Sequence, residues 1–128
     1  MQKIRELASE VMAQAGAGRQ ESAVRIAAQF FDDFSAAPVD VQEAAVIERP
    51  ELSDDRWRCF LAGLVEHACL RAGIPAPAWV FEPGQYLRSW WFVTPLQGLH
   101  ASAFVETPAA FKNHGVFIHR DSIEGIKA

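Results

Sequence analysis

Apolar residues recur at Ile4, Leu7, Ala8, Val11, Met12 and Ala15, the i, i+3, i+4, i+7, i+8, i+11 spacing of one buried helical face. Gly16 ends that helix, and the GAG stretch lets the chain reverse. A second helix is predicted from about Gln20 to Phe34. Val24, Ala27, Phe31 and Phe34 share one face of it, and Ala23, Ile26 and Phe30 widen that face enough for burial on two sides. After Pro38, Asp40 followed by Glu43 has the spacing of a capping box and predicts a short third helix, with Val41, Ala44, Ala45 and Ile47 as its apolar face and Pro50 as its stop. Ser53, Asp54 and Asp55 put a cap and two carboxylates at the positive end of the longest helix, from about Asp54 to Ala72. Its apolar positions are Trp57, Phe60, Leu61, Leu64, Val65 and Ala68. Gly73, Ile74 and Pro75 stop it, the glycine as a left-handed cap and Ile74 folding back on the last turn.

Beyond that stop the periodicity breaks down. The run GIPAPAWVFEPGQYLRSWWFVTP packs Pro75, Pro77, Pro83 and Pro95 among Trp79, Phe81, Tyr86, Trp90, Trp91 and Phe92. Prolines forbid most regular structure here, and so much apolar surface on a free loop would stay wet. The segment is therefore expected to be an aromatic collar ordered by packing on the helical body. Glu82-Pro83-Gly84-Gln85 reads as a turn, so that Trp79 to Phe81 and Tyr86 to Trp91 would double back on each other. Thr94-Pro95 and Thr107-Pro108 each read as an N-cap followed by proline at the first helical position. The first helix would carry Leu96, Leu99, Ala103 and Phe104 inward. The second would be short, with Phe111 inside and Gly115 as its stop. Val116 to Ile118 is a brief β-like stretch, and Asp121 starts a last turn holding Ile123 and Ile126.

These elements predict a mainly α fold. A single compact multi-helix domain over residues 1–128 would have its N-terminal helices (1–50) packed on residues 51–128, a Pro- and aromatic-rich irregular segment, and at most a very short β element. Half of the 128 residues are hydrophobic and 22% are charged, a globular rather than a disordered composition. No apolar run approaches the roughly 20 residues that span a bilayer. The start, MQKIRELASEVMAQ, reads as a polar-faced helix rather than a signal peptide, so a cytoplasmic location is expected. Cys59 and Cys69 share one helix, where their spacing amounts to roughly 15 Å of rise, and they are read as unbridged, small buried hydrophobes.

The net charge of −4 is uneven: Met1 to Pro50 carries five basic against eight acidic residues, and Glu51 to Ala128 seven against eight. The basic residues stand singly among acids, so direct nucleic-acid binding by this chain is not expected. A mildly acidic surface suits a basic protein partner. No Gly-rich phosphate loop, HExxH, CxxC, GxSxG or Ca²⁺-loop spacing occurs, which leaves no local signature for a catalytic residue, a metal or a cofactor. His67 lies mid-helix beside the polar face, suited to a surface or helix–helix contact. His114 stands at a helix C-terminus, where an imidazole is structurally useful, and His100 has no second ligand at i+3 or i+4. His114 and His119 flank Gly115 to Ile118 and would converge only if the chain turned there.

The collar has two readings. In one, Trp79, Tyr86, Trp90 and Trp91 close the bottom of the core, with indole N–H and phenol groups reaching carbonyls the prolines left unpaired. In the other, some of these rings anchor a partner, with Arg88 between Tyr86 and Trp90. Consecutive Trp90 and Trp91 cannot both be buried on one side, so at least one is expected to be exposed or to meet a partner.

Three stretches, LAGLVEHACLRAGIPAPAW, LRSWWF and VETPAAFKNHGVFIHRDSI, together resemble a poorly characterised bacterial domain. Its pattern is a long helix ending in G-[IL]-P-x-P-x-W, a Pro-Trp-Phe element, and E-[ST]-P-x-x-F-x-x-x-[GN]-[IV]-[FY]-[IV]. The resemblance spans about Trp57 to Ile123 and rests on Gly73, Pro75, Pro77, Trp79, Trp91, Phe92, Glu106, Pro108, Phe111 and Phe117. Ser89-Trp90 stands where that domain has proline before its Trp-Phe. The domain often follows a helix-turn-helix region and lies beside genes for nucleotidyltransferase-like toxins, so the resemblance implies an antitoxin or regulator. This chain has three acidic helices in place of a recognition helix, which argues against operator binding by this chain alone. The resulting expectation is a non-catalytic protein–protein interaction module. Tyr86, Arg88, Trp90 and Trp91 would be anchors, and Asp54, Asp55 and Glu82 a rim complementary to a basic partner. An exposed aromatic run is also compatible with a homo-oligomer. The alternative is a small-ligand pocket or an unrecognised enzyme under the collar, using Glu82, Glu106, His100 or His114.

Overall fold

The structure, a computed structural model, describes residues 1–94 and 96–125. Pro95 and Ile126, each expected to open or hold a helical turn, lie outside the described residues. Among those described are seven α-helices and one two-stranded sheet: α1 (Ile4–Gly16), α2 (Gln20–Ala36), α3 (Val39–Val46), α4 (Asp55–Ala72), β1 (Trp91–Phe92), α5 (His100–Glu106), α6 (Ala109–Asn113), β2 (Val116–Phe117) and α7 (Arg120–Glu124). The mainly α architecture expected from the periodicity is what the chain adopts.

The centre is α4. Asp54 caps it, its carboxylate accepting from the Trp57 N–H at 3.0 Å. At the other end Gly73 takes φ 74°, and the Ile74 N–H reaches back to the Cys69 carbonyl at 3.0 Å, the bond of a Schellman turn. Every residue from Cys59 to Cys69 is buried, so α4 has no solvent face over three turns, rather than the single stripe its sequence suggests. α1, α2, α6, β2 and the collar turns surround it. Phe60, Leu61, Leu64 and Val65 meet Ile4, Leu7, Phe30, Phe34 and Phe111 in one hydrophobic cluster that runs from Ile4 to Ile123.

Three helix starts differ from expectation. α3 begins at Val39 with Pro38 as its cap residue, so Asp40 lies in the first turn and makes no capping box. Its buried face is Gln42, Ala45 and Val46, while Ile47 is exposed, because the Gln42 side-chain N–H donates to the Phe34 carbonyl at 2.8 Å and fixes the rotation. α5 begins only at His100 after a 3-10 turn over Gln97–Leu99, and of the residues expected to face inward only Ala103 is buried. Pro108 is the cap residue of α6 and not its first helical residue. That frees the Thr107 hydroxyl, which donates to the Ala103 carbonyl and accepts from the Ile118 N–H at 3.0 Å, tying α5 to the strand that follows α6.

β1 and β2 run parallel, with Trp91 opposite Val116 and Phe92 opposite Phe117. The collar therefore does not fold back on itself. Two 3-10 turns, Ala78–Phe81 and Pro83–Gln85, carry the chain along α4 instead. It then pairs with the segment after α6: Leu87 N–H donates to the His114 carbonyl at 3.1 Å and Trp91 N–H to Gly115 at 2.9 Å. No helix among the described residues is long and apolar enough to cross a membrane.

Candidate functional site

The exit from α4 is structural. Pro75 and Pro77 lead into a turn that buries Trp79, whose indole N–H donates to the Val46 carbonyl of α3 at 2.9 Å and so fastens the collar to the N-terminal helices. Phe111 and Phe117 are buried, Pro108 is buried beside them, and Phe92 is half-buried. Glu106 is exposed and stands 3.9 Å from His119.

Trp90 and Trp91 separate as extended backbone requires. Trp91 is only 6% exposed, edge-on to Trp57 at 5.0 Å and covered by the Arg56 guanidinium at 5.5 Å. It belongs to the core, and its burial removes it from the set of expected anchors. Trp90 is 61% exposed, yet it is not a loose ring: it leans on Phe117 at 5.1 Å and Phe104 at 5.8 Å. The stack continues from Phe117 to Phe92 at 4.9 Å and from Phe92 to His100 at 4.3 Å. Leu96, Leu99, Phe104 and Val105 are exposed on the same α5 region. The sequence reading missed this face because it assigned Leu96, Leu99 and Phe104 to an inward stripe. The signal was there: apolar residues at 96, 99, 104 and 105 lie on more than one side of so short a helix.

The acidic rim takes a different form from the one expected. Asp54 is spent on the α4 cap, Asp55 pairs with Arg58 at 2.7 Å, and Glu82 pairs with Arg49 at 3.2 Å. Arg58 also donates to the Gly84 carbonyl through Nε at 3.1 Å and Nη2 at 3.0 Å, and to Leu52 at 3.2 Å, clamping the second 3-10 turn onto α4. Between that turn and the first turns of α4 opens a cleft of about 620 Å³ lined by Arg56, Arg58, Arg88, Tyr86 and Ser89. Basic residues that stand singly in the sequence are thus gathered by the fold. Arg56 and Arg88 are exposed and make no ion pair or hydrogen bond among the described residues.

Behind the cleft, Tyr86 is 39% exposed and stacks on His114 at 4.6 Å. Burial, and the charge of Glu66, push the Tyr86 phenol above its ordinary range. His114 itself is fully buried, with Nδ1 donating to the Gln85 carbonyl at 2.6 Å and Nε2 facing Glu66 Oε1 at 2.9 Å. His119 bonds Ser102 at 2.8 Å and does not converge with His114, and His100 faces the Thr94 carbonyl at 3.0 Å. The four polar groups considered for a pocket under the collar therefore lie apart: His114 inside, Glu82 on Arg49, His100 against Phe92, and Glu106 beside His119. Burial pushes the Cys59 thiol up to about 11, which leaves it protonated and poorly nucleophilic near neutrality. Among the described residues no group of three or more His, Cys, Asp or Glu side chains is placed to hold a metal ion.

His67 is drawn inside with the rest of α4 and makes the helix–helix contact expected of it. It stacks on Phe31 at 5.3 Å, and its Nε2–H donates to Glu124 of α7 at 2.8 Å. Arg71 and Arg120 also reach Glu124, at 2.6 Å and 3.2 Å. Burial lowers the His67 pKa below its ordinary value, outweighing the Glu124 bond that raises it. Burial works to raise the Glu124 pKa, but the bonds from His67 and Arg71 hold it below the usual carboxylate range. Both shifts act in one direction. As pH falls below about 6.5 the unfolded chain protonates His67 first, and below about 4.5 it protonates Glu124 first, so stability falls with pH across both windows. Thermal melts from pH 7.5 to 5 are expected to show a falling midpoint, and His67→Gln, which keeps a side-chain donor for Glu124, is expected to flatten that fall. An unchanged slope in His67→Gln would assign it to another group.

No protein family, no curated protein and no solved structure matches the chain.

Proposed function

We propose that this protein is a non-catalytic protein–protein interaction module, antitoxin-like or regulatory, that binds and neutralises or positions a partner protein through the collar and α5. The partner in this reading is a nucleotidyltransferase-like toxin, as the likeness of the Trp57 to Ile123 motifs to antitoxin-type domains implies. The observation that carries the reading is Trp90, 61% exposed and braced by Phe104 and Phe117. A large ring already held in place loses little conformational entropy on binding, the property of an interface anchor. Exposed Phe104 belongs to that brace, and Leu96, Leu99 and Val105 add further exposed apolar surface on and just before α5.

Co-expression with the product of the neighbouring gene is expected to yield a copurifying pair, and Trp90→Ala is expected to weaken that pair at least tenfold while leaving the circular-dichroism spectrum unchanged. No copurification with the wild-type chain would overturn the reading. A simpler optical measurement bears on the anchor. Trp57, Trp79 and Trp91 are buried, so acrylamide should quench one emitting component of the free protein, and Trp90→Phe should abolish it.

A further inference from the structure

We infer that the cleft beside Trp90 binds carboxylates, so that the partner meets this face with an acidic segment and not with a basic one. The inference rests on the partner-binding reading above and deepens it by naming the chemistry of the contact.

Three observations carry it. First, each collar-side carboxylate expected to greet a basic partner is already satisfied within the chain: Asp54 by the Trp57 N–H, Asp55 by Arg58 and Glu82 by Arg49. A basic partner would share these carboxylates with donors already in place and would gain less from each than from an unpaired one. Second, Arg56 and Arg88 line one cleft and carry no carboxylate partner, while Tyr86 and Ser89 add hydroxyl groups to the same wall. A guanidinium presents a planar fork of donors that matches a carboxylate in two-point geometry. Third, the Arg56 guanidinium lies over the Trp91 ring at 5.5 Å, a contact that limits the side-chain freedom left to lose on binding. Asp55 lies in the cleft but is engaged by Arg58 at 2.7 Å, so the local balance stays positive although the whole chain carries −4. Ser89 joins the cleft directly to Trp90 along the chain, which puts an anionic contact and an aromatic one side by side.

The experiment uses the full chain and two fluorescein-labelled peptides of equal length, one of alternating glutamate and serine and one of alternating lysine and serine, with inorganic phosphate as competitor. Fluorescence anisotropy is expected to show binding of the glutamate peptide only, weakening as salt rises, and a loss of about tenfold or more in R56Q/R88Q. Arg88 has no intrachain bond, so R88E keeps the fold and should abolish the signal by itself. Preferential binding of the lysine peptide, or unchanged affinity in both variants, overturns the inference. Displacement of the glutamate peptide by phosphate at comparable concentration also overturns it, in favour of a phosphate group as ligand. In the copurification assay, a partner retained equally by wild type and R88E defeats the acidic-segment inference and leaves the interaction reading standing. Absence of any partner with wild type defeats that reading, and the peptide arm then decides the cleft alone.

Discussion

His114→Ala is expected to lower the free energy of unfolding by about 3–5 kcal/mol, measured as a fall in the urea midpoint with little change in slope. The side chain is fully buried, and both ring nitrogens face oxygens: the Gln85 carbonyl at 2.6 Å and Glu66 Oε1 at 2.9 Å. The carbonyl can only accept, so Nδ1 donates to it, while Nε2 faces Oε1 in the second contact. Removing the ring leaves a buried carboxylate and a buried carbonyl without donors, and it opens a void under Tyr86, which stacks on the ring at 4.6 Å. Glu66→Gln is the control, because its amide can donate to Nε2 while Nδ1 keeps the Gln85 bond. It is expected to cost only about 1 kcal/mol. A loss below 1 kcal/mol in His114→Ala would show that the pair contributes little.

Phe111→Ala is expected to cost about 3–5 kcal/mol, since the ring is fully buried against Phe60 at 5.5 Å and His67 at 5.9 Å and fills the space between α4 and α6. Gly63 makes this a two-residue test. A Cβ on Gly63 would stand 2.9 Å from Phe111 Cδ1 and 3.2 Å from its Cα, closer than carbon atoms pack, so α6 lies against α4 only because position 63 has no side chain. Gly63→Ala should destabilise the wild-type protein by about 1–3 kcal/mol, overpacking outweighing the roughly 1 kcal/mol that alanine gains over glycine within a helix. With Phe111→Ala present the 2.9 Å clash with the ring disappears and only the 3.2 Å approach to the backbone Cα remains, so the same change should cost clearly less. A coupling of at least about 1 kcal/mol between the two sites is the expected readout, and strict additivity would contradict the close approach.

The sequence made α1, α2 and α4 legible because each has several turns of 3.6-residue periodicity, and at Gly73 a glycine before Ile-Pro marks the stop. It was weakest where helices are a turn or two long and tertiary bonds decide the rotation. In α3 the Gln42 bond to Phe34 turns the helix away from its apolar stripe. Thr107 looks like a cap and instead ties α5 to the strand after α6. The pairing of Trp91–Phe92 with Val116–Phe117 joins segments separated by two helices, so no local turn signal could announce it.

For the candidate site, the separation of Trp90 from Trp91 followed from backbone geometry, but which ring faces outward depended on Trp57, a contact from another element. The arginine cleft was illegible for the same reason: Arg56 and Arg58 sit on α4, Arg88 lies thirty residues later, and only the 3-10 turn clamped by Arg58 brings them to one wall. The acidic residues misled in the opposite sense, because sequence counts charges whereas the fold decides which are already neutralised.

The three buried turns of α4 also govern how freely this chain can vary. A helix with one exposed stripe has positions where substitutions accumulate without consequence. From Cys59 to Cys69 there is no such position, so a change there must be matched by a neighbour on α1, α2, α6, β2 or the collar turns. The α5 face around Trp90 is under no comparable demand from the interior. Drift in the family of sequences that adopt this fold should therefore be slow and correlated along α4, and rapid on α5 unless something outside the molecule holds it.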